Sequence, residues 1–203
     1  MSAHLYLLRH GETEWSLSGQ HTGRTDIPLT PNGEKRAAEA GRMLAGLRGD
    51  NPLALVMSSP RSRAVRTAEL AGLTVTEVSE DLAEWDYGDY EGLTTPQIRE
   101  TVPGWTVWTH PCPNGETVDQ VGARAQRVLA HVREKLRDGD VVLVGHGHFG
   151  RVLVATWLQL PPTEGVRFAL DAAGVSELGD ERGVPQIRRL NVPPLPERGF
   201  PHA

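Results

Sequence analysis

The sequence predicts an α/β fold: a three-layer sandwich with a mostly parallel central sheet, helices on both faces and an irregular aromatic-rich insertion. Three observations carry this. Short apolar runs alternate with stretches of helical periodicity, the pattern of successive βα units. Glycines and prolines punctuate the joins between them. The chain has 203 residues, 38% hydrophobic and 23% charged, enough for one domain with a real core.

The elements follow in order. Residues 5–8 (Leu5-Tyr6-Leu7-Leu8) form a buried strand that stops at Arg9-His10-Gly11. A polar, glycine-bearing stretch fills 12–27. Thr30 then caps a helix opened by Pro31 and Glu34, whose Ala37, Ala38, Gly41, Leu44, Ala45 and Leu47 recur at helical spacing to about residue 48. Residues 53–57 make a second strand running into Ser58-Ser59-Pro60. A helix over 61–71 and an alternating strand over 74–78 come next. The stretch 84–117 differs in texture, with Trp85, Tyr87, Tyr90, Trp105 and Trp108 among prolines and glycines and one short helix near 95–101. Residues 117–137 form a long amphipathic helix. Residues 141–144 are the fourth strand, ending at Gly145-His146-Gly147-His148, and a helix over 149–158 is stopped by Pro161-Pro162. Segments 167–170, 175–178 and 186–190 supply two or three late strands. Residues 1–192 therefore read as a single domain, with 84–117 as a lid over its site and 193–203 as a proline-rich tail.

Composition narrows the function. Of the 21 basic residues, 19 are arginine, yet the net charge is −5, which argues against a nucleic-acid or membrane-surface binder. A few arginines acting as forks for a small anion fit better. Cys112 is the only cysteine, so there is neither a disulfide framework nor a CxxC metal site. No apolar run approaches a membrane span. A strand begins almost at once, leaving no room for a signal peptide. A reducing, cytoplasmic setting is expected.

In parallel sheets, ligands bind at the carboxyl ends of the strands. Two strands here end in histidine–glycine pairs, Arg9-His10-Gly11 and Gly145-His146-Gly147. Titratable groups at two equivalent strand ends point to one shared site. Arg9 supplies an anion fork, and a neutral His10 imidazole can attack phosphorus, splitting one hard step into two. Arg61, Arg63 and Arg66 crowd a helix start, where cations oppose the macrodipole and ask for an anion, though their spacing aims Arg63 away from the other two. In 84–92, a carboxyl beside Trp85 and Tyr87 would serve as general acid, with Glu84 preferred and Asp86 second. Gly145-His146-Gly147-His148-Phe149-Gly150 matches the G-x-G-x-x-G dinucleotide fingerprint. Only 53 residues follow it, without the strand–helix repeat a dinucleotide half needs, so no such cofactor is expected. Nor is zinc, because no carboxylate stands at a ligand spacing from His10, His146 and His148.

Leu8-Arg9-His10-Gly11-Glu12-Thr13, residues 58–67, residues 84–92 and Gly145-His146-Gly147 occur in an order that resembles the histidine phosphatase superfamily, which includes phosphoglycerate mutases and many phosphatases. Within it, Gly19-Gln20-His21-Thr22-Gly23 and the 84–92 motif look most like sedoheptulose bisphosphatases and bacterial acid phosphatases. The resemblance implies a metal-independent phosphatase acting through a phosphohistidine on sugar phosphates or other small phosphorylated metabolites. It assigns His10 as nucleophile, Glu84 as proton donor, and Arg9, Arg63 and His146 as the phosphate pocket. Ser16 stands where mutase relatives usually carry asparagine and is a candidate hydrogen-bond donor to the phosphate, as is the Gly147 backbone. Thr22, Gly23, Tyr87 and His148 are candidate substrate contacts. A mutase and a non-catalytic phospho-ligand binder are the competing functions, and a homodimer follows by family analogy.

Overall fold

The computed structural model describes residues 3–194; most of the expected tail, 195–203, lies outside the described residues. Six strands, β1 (Leu5–Arg9), β2 (Leu53–Ser58), β3 (Glu77–Val78), β4 (Asp140–Gly145), β5 (Val175–Glu181) and β6 (Val184–Val192), form one sheet in the order β3-β2-β4-β1-β5-β6. The β3–β2, β2–β4 and β4–β1 pairs are parallel; β5 runs antiparallel to β1 and β6 to β5. The late strands are thus a hairpin on the edge of a parallel sheet. Residues 167–170 are not a strand: a 3-10 turn over Pro162–Arg167 runs directly into irregular chain. The expected 74–78 strand keeps only two paired residues.

The strand period of two divides the core into the two layers a sandwich requires. Leu5, Leu7, Leu55, Met57, Val141 and Leu143 face one side with the aromatic residues Trp85, Trp105 and Trp108. Tyr6, Leu8, Val56, Val142 and Val144 face the other. Helix α2 (Pro31–Arg48), with its Thr30 hydroxyl accepting from Gly33 N, and α3 (Ser62–Leu70) cover the second side through Ala40, Leu44, Ala64 and Ala68. Helices α5 (Val118–Lys135) and α6 (Gly147–Trp157) cover the first. Capping boxes at Thr94/Gln97 and Thr117/Gln120 set the starts of α4 (Thr95–Thr101) and α5. A short helix, α1 (Glu14–Ser18), occupies part of the expected polar loop, stapled by Thr13 and Ser16 and closed by Gly19 at φ 77°.

Register is what builds the site. Arg9 pairs with Gly145 and Ser58 with Val144 across parallel strands. The chain therefore leaves the sheet at one level three times over, at His10, Ser59 and His146. Two bonds lock that edge: His10 N–H donates to Gly145 O and Ser59 N–H to Val144 O, both at 2.9 Å. No helix among the described residues is long and apolar enough to cross a membrane.

Candidate active site

A cavity of about 540 Å³ opens at these strand ends. Arg9, His10, Ser16, Thr22, Glu84, Tyr87, Gly147 and His148 line it. His146 lies against His10, ring centroids 5.2 Å apart. Arg63 is fully buried beneath the 22–25 loop, donating to the carbonyls of Thr22 (3.0 Å), Gly23 (3.4 Å) and Thr25 (3.0 Å). Of the residues expected at the site from sequence, those eight line one cavity, while Arg63, His146 and Gly23 are not on its lining.

His10 is almost wholly buried, and its Nδ1 lies 2.7 Å from Gly11 O. A carbonyl can only accept, so Nδ1 carries the ring proton and Nε2 keeps its lone pair. Burial first, then the Arg9 and Arg63 charges, hold His10 well below the usual histidine value. The ring is a neutral base with its lone pair on Nε2.

Around it are buried polar atoms without partners: among the described residues, the Arg9 Nε and Arg63 Nε donors and the His146 Nδ1 ring nitrogen find no hydrogen-bond partner. Such groups cost about 1–3 kcal/mol each if left unmet, and an oxyanion meets them. Arg9 is anchored to Leu170 O. Gly147 lets the guanidinium pass, since a Cβ there would stand 3.2 Å from Arg9 Cζ.

Glu84 sits at the start of α6 without belonging to it. Its Oε1 accepts from Phe149 N (2.7 Å) and Trp85 N (2.9 Å), and its Oε2 from His148 N (3.0 Å). His146, the N-cap residue, makes no side-chain cap bond. Glu84 therefore caps the helix from more than sixty residues away in sequence, its carboxyl oxygens accepting at the positive end of a dipole. This explains why α6 starts two residues before its expected beginning at 149. Asp86, the second choice for the acid, pairs with Arg24 at 2.7 Å and does not line the cavity.

Three expected contacts have other work. Ser16 Oγ donates to Thr13 O and accepts from Thr13 N, both at 2.8 Å, so its hydroxyl is committed to capping α1. Gly23 N donates to both oxygens of Glu91, and a Cβ there would stand 2.5 Å from Trp85 O. Gly23 thus shapes the loop that holds Arg63. The Thr22 hydroxyl donates to Gln20 O. Arg61 and Arg66 pair outward with Glu80, Glu34 and Glu69.

Sequence reasoning missed Ser59, which is fully buried with Oγ 2.7 Å from His146 Nε2. It also passed over Glu91, which ties down residues 23 and 25. For Ser59, the usable signal was its place one step past a strand end, level with His10 and His146.

His10, His21, His146 and His148 are all held below the usual histidine value, burial being the largest cause for each; His21 is brought to about 4. Unfolded, they take protons near pH 6.5; folded, they resist until lower pH. The unfolded state then binds more protons as pH falls through 6.5 toward 4, and stability drops. His21→Gln removes one titration. Its stability relative to wild type should rise by about 1 kcal/mol per pH unit as pH falls from 6 to 4.5. Urea denaturation at several pH values measures this, and a pH-independent gap would contradict it.

Residues 5–193 match the family model of the histidine phosphatase superfamily, branch 1. The chain is 52% identical over 193 residues to an acid phosphatase of Mycobacterium tuberculosis, covering 95% of this chain and 94% of that protein. It is 36% identical to a sedoheptulose 1,7-bisphosphatase of Saccharomyces cerevisiae over 76% of this chain and 67% of that one. A solved structure of an open reading frame from Mycobacterium tuberculosis superposes with a TM-score of 0.91 at 50% identity, covering 95% of this chain and 99% of that chain. Phosphoglycerate mutases also match, at 29–34% identity. The phosphatase reading is thereby favoured over the mutase one. With its register-aligned histidines, buried arginines and matched length, the chain belongs to the histidine phosphatase superfamily.

Proposed function

We propose that the protein hydrolyses small phosphomonoesters through a phosphohistidine on His10, with arginines in place of a metal ion. The observation that carries this is a neutral His10 with a free Nε2 beside buried N–H groups that lack acceptors. Arg9, Arg63 and the Gly147 backbone hold the phosphoryl oxygens, and preorganised charge of this kind stabilises a transferring phosphoryl group. Ser59 O–H donates to His146 Nε2, leaving Nδ1–H to donate to the phosphoryl group.

His10 Nε2 attacks phosphorus as the ester P–O bond breaks, and Glu84 protonates the leaving oxygen. Water then attacks, giving its proton to Glu84; the N–P bond breaks, and phosphate leaves with His10 neutral again. Throughout, Gly11 O keeps the Nδ1 proton in place. Tyr87 and His148 contact the leaving group, and segment 84–117 covers it.

One assay separates hydrolase, mutase and binder: free phosphate and isomer exchange are followed on phosphoglycerates and a sugar-phosphate panel. Phosphate release without exchange is expected. EDTA should leave the rate unchanged; a loss restored by a divalent cation would sink the arginine-only scheme.

A further inference from the structure

His148 holds an unusual place beside the chemistry. Its backbone N–H donates to Glu84 Oε2, so its ring stands next to the group that would protonate the leaving oxygen. The ring lines the cavity and is wedged among Trp108 (centroids 5.4 Å), Tyr87 (5.9 Å) and His21 (5.9 Å). Its Nδ1 lies 2.6 Å from the hydroxyl of Tyr87, the ring's one hydrogen-bond partner among the described residues.

The surroundings of the hydroxyl give the direction of that bond. Tyr87 is fully buried, burial, then Glu84, hold its phenol protonated, and among the described residues its O–H has no acceptor other than His148 Nδ1, so it donates there. Burial, then Arg151 and His21, keep His148 neutral. A neutral imidazole has one N–H. With Nδ1 accepting from Tyr87, that N–H is on Nε2.

The surroundings select what it meets. His21, held neutral, sits 3.3 Å from the Thr95 hydroxyl, and both line the same cavity. Beyond Arg9, which faces the phosphate end, the wall carries two arginines with partners of their own: Arg151 donates to Gly165 O and Val166 O and lies 4.7 Å over Trp108, while Arg167 pairs with Glu164. Neutral imidazoles and an alcohol suit an uncharged oxygen more than a carboxylate.

On the phosphatase reading, on which this subsite depends, we propose that Tyr87 fixes His148 as the Nε2–H tautomer, which donates a hydrogen bond to a hydroxyl on the carbon chain of the leaving group. The preferred substrates are then sugar or polyol phosphates.

The readout is the ratio of kcat/KM for glycerol 3-phosphate to that for p-nitrophenyl phosphate, whose leaving group has no hydroxyl. His148→Ala should lower this ratio about tenfold, the size of one lost net hydrogen bond. His148→Gln, which keeps an N–H donor, should recover most of it, and Tyr87→Phe should lower it partway. An unchanged ratio in His148→Ala overturns the subsite, and an equal fall with phosphoglycolate, a carboxylate without a hydroxyl, overturns the hydroxyl assignment. Nitrogen-15 NMR of His148 gives a test independent of turnover: Nδ1–H in the wild type overturns the tautomer. No phosphate release by the wild type from any ester would instead overturn the phosphatase reading.

Discussion

His10→Ala should lower kcat by on the order of 10⁴-fold or more, because on the proposed mechanism it deletes the atom that bonds to phosphorus. The loss should be the same for every substrate, since every ester passes through the same phosphoenzyme. Among the described residues the side chain makes one hydrogen bond, to its neighbour Gly11, so the variant should fold. It should still bind phosphate through Arg9 and Arg63. Acid-quenched enzyme incubated with a phosphorus-32 ester should carry an acid-labile, base-stable label in the wild type and none in the variant. Turnover within tenfold of wild type would rule out His10 as nucleophile.

The second large effect depends on the leaving group. Glu84→Gln removes the proton donor but keeps the shape, and general acid catalysis contributes typically 10²–10⁴-fold. That loss should appear in full with alkyl and sugar phosphates. It should be far smaller with p-nitrophenyl phosphate, whose leaving oxygen departs without a proton. Glu84 also caps α6 through Phe149 and His148. A glutamine amide facing one of those N–H groups should cost about 1 kcal/mol of stability. Capping loss affects all substrates alike, whereas acid loss steepens the dependence of log kcat/KM on leaving-group pKa. An unchanged slope would remove Glu84 from the proton-transfer step and leave it as a cap.

Local signals identified most elements because the physics there is local. Thr30-Pro31 and Thr117 through Gln120 meet their own backbone within one turn, so their meaning does not depend on the rest of the fold. Apolar runs at 5–8, 53–57 and 141–144 appear as strands whose alternate residues feed two core layers. The segment 167–170 carried an apolar pattern too, but no strand edge is there to pair with it, and pattern alone cannot supply a partner. Helix α1 was missed for the opposite reason: five residues give no periodicity, and only its Thr13–Ser16 cap and closing glycine mark it.

The sequence by itself determined the chemistry: a histidine and an arginine at one strand end, a histidine at another, a buried-type arginine after a third, and an acid among aromatics. Their types and chain positions suffice, since a parallel sheet gathers the carboxyl ends of its strands on one edge. Only the tertiary structure decided how each is held. The strand register puts His146 against His10 and Ser59 against His146. Contacts between Glu84 and α6, Arg63 and the 22–25 loop, and Tyr87 and His148 each join residues about forty or more positions apart. These contacts set tautomers, charges and free lone pairs, and such long-range hydrogen bonds leave no periodic trace in a chain.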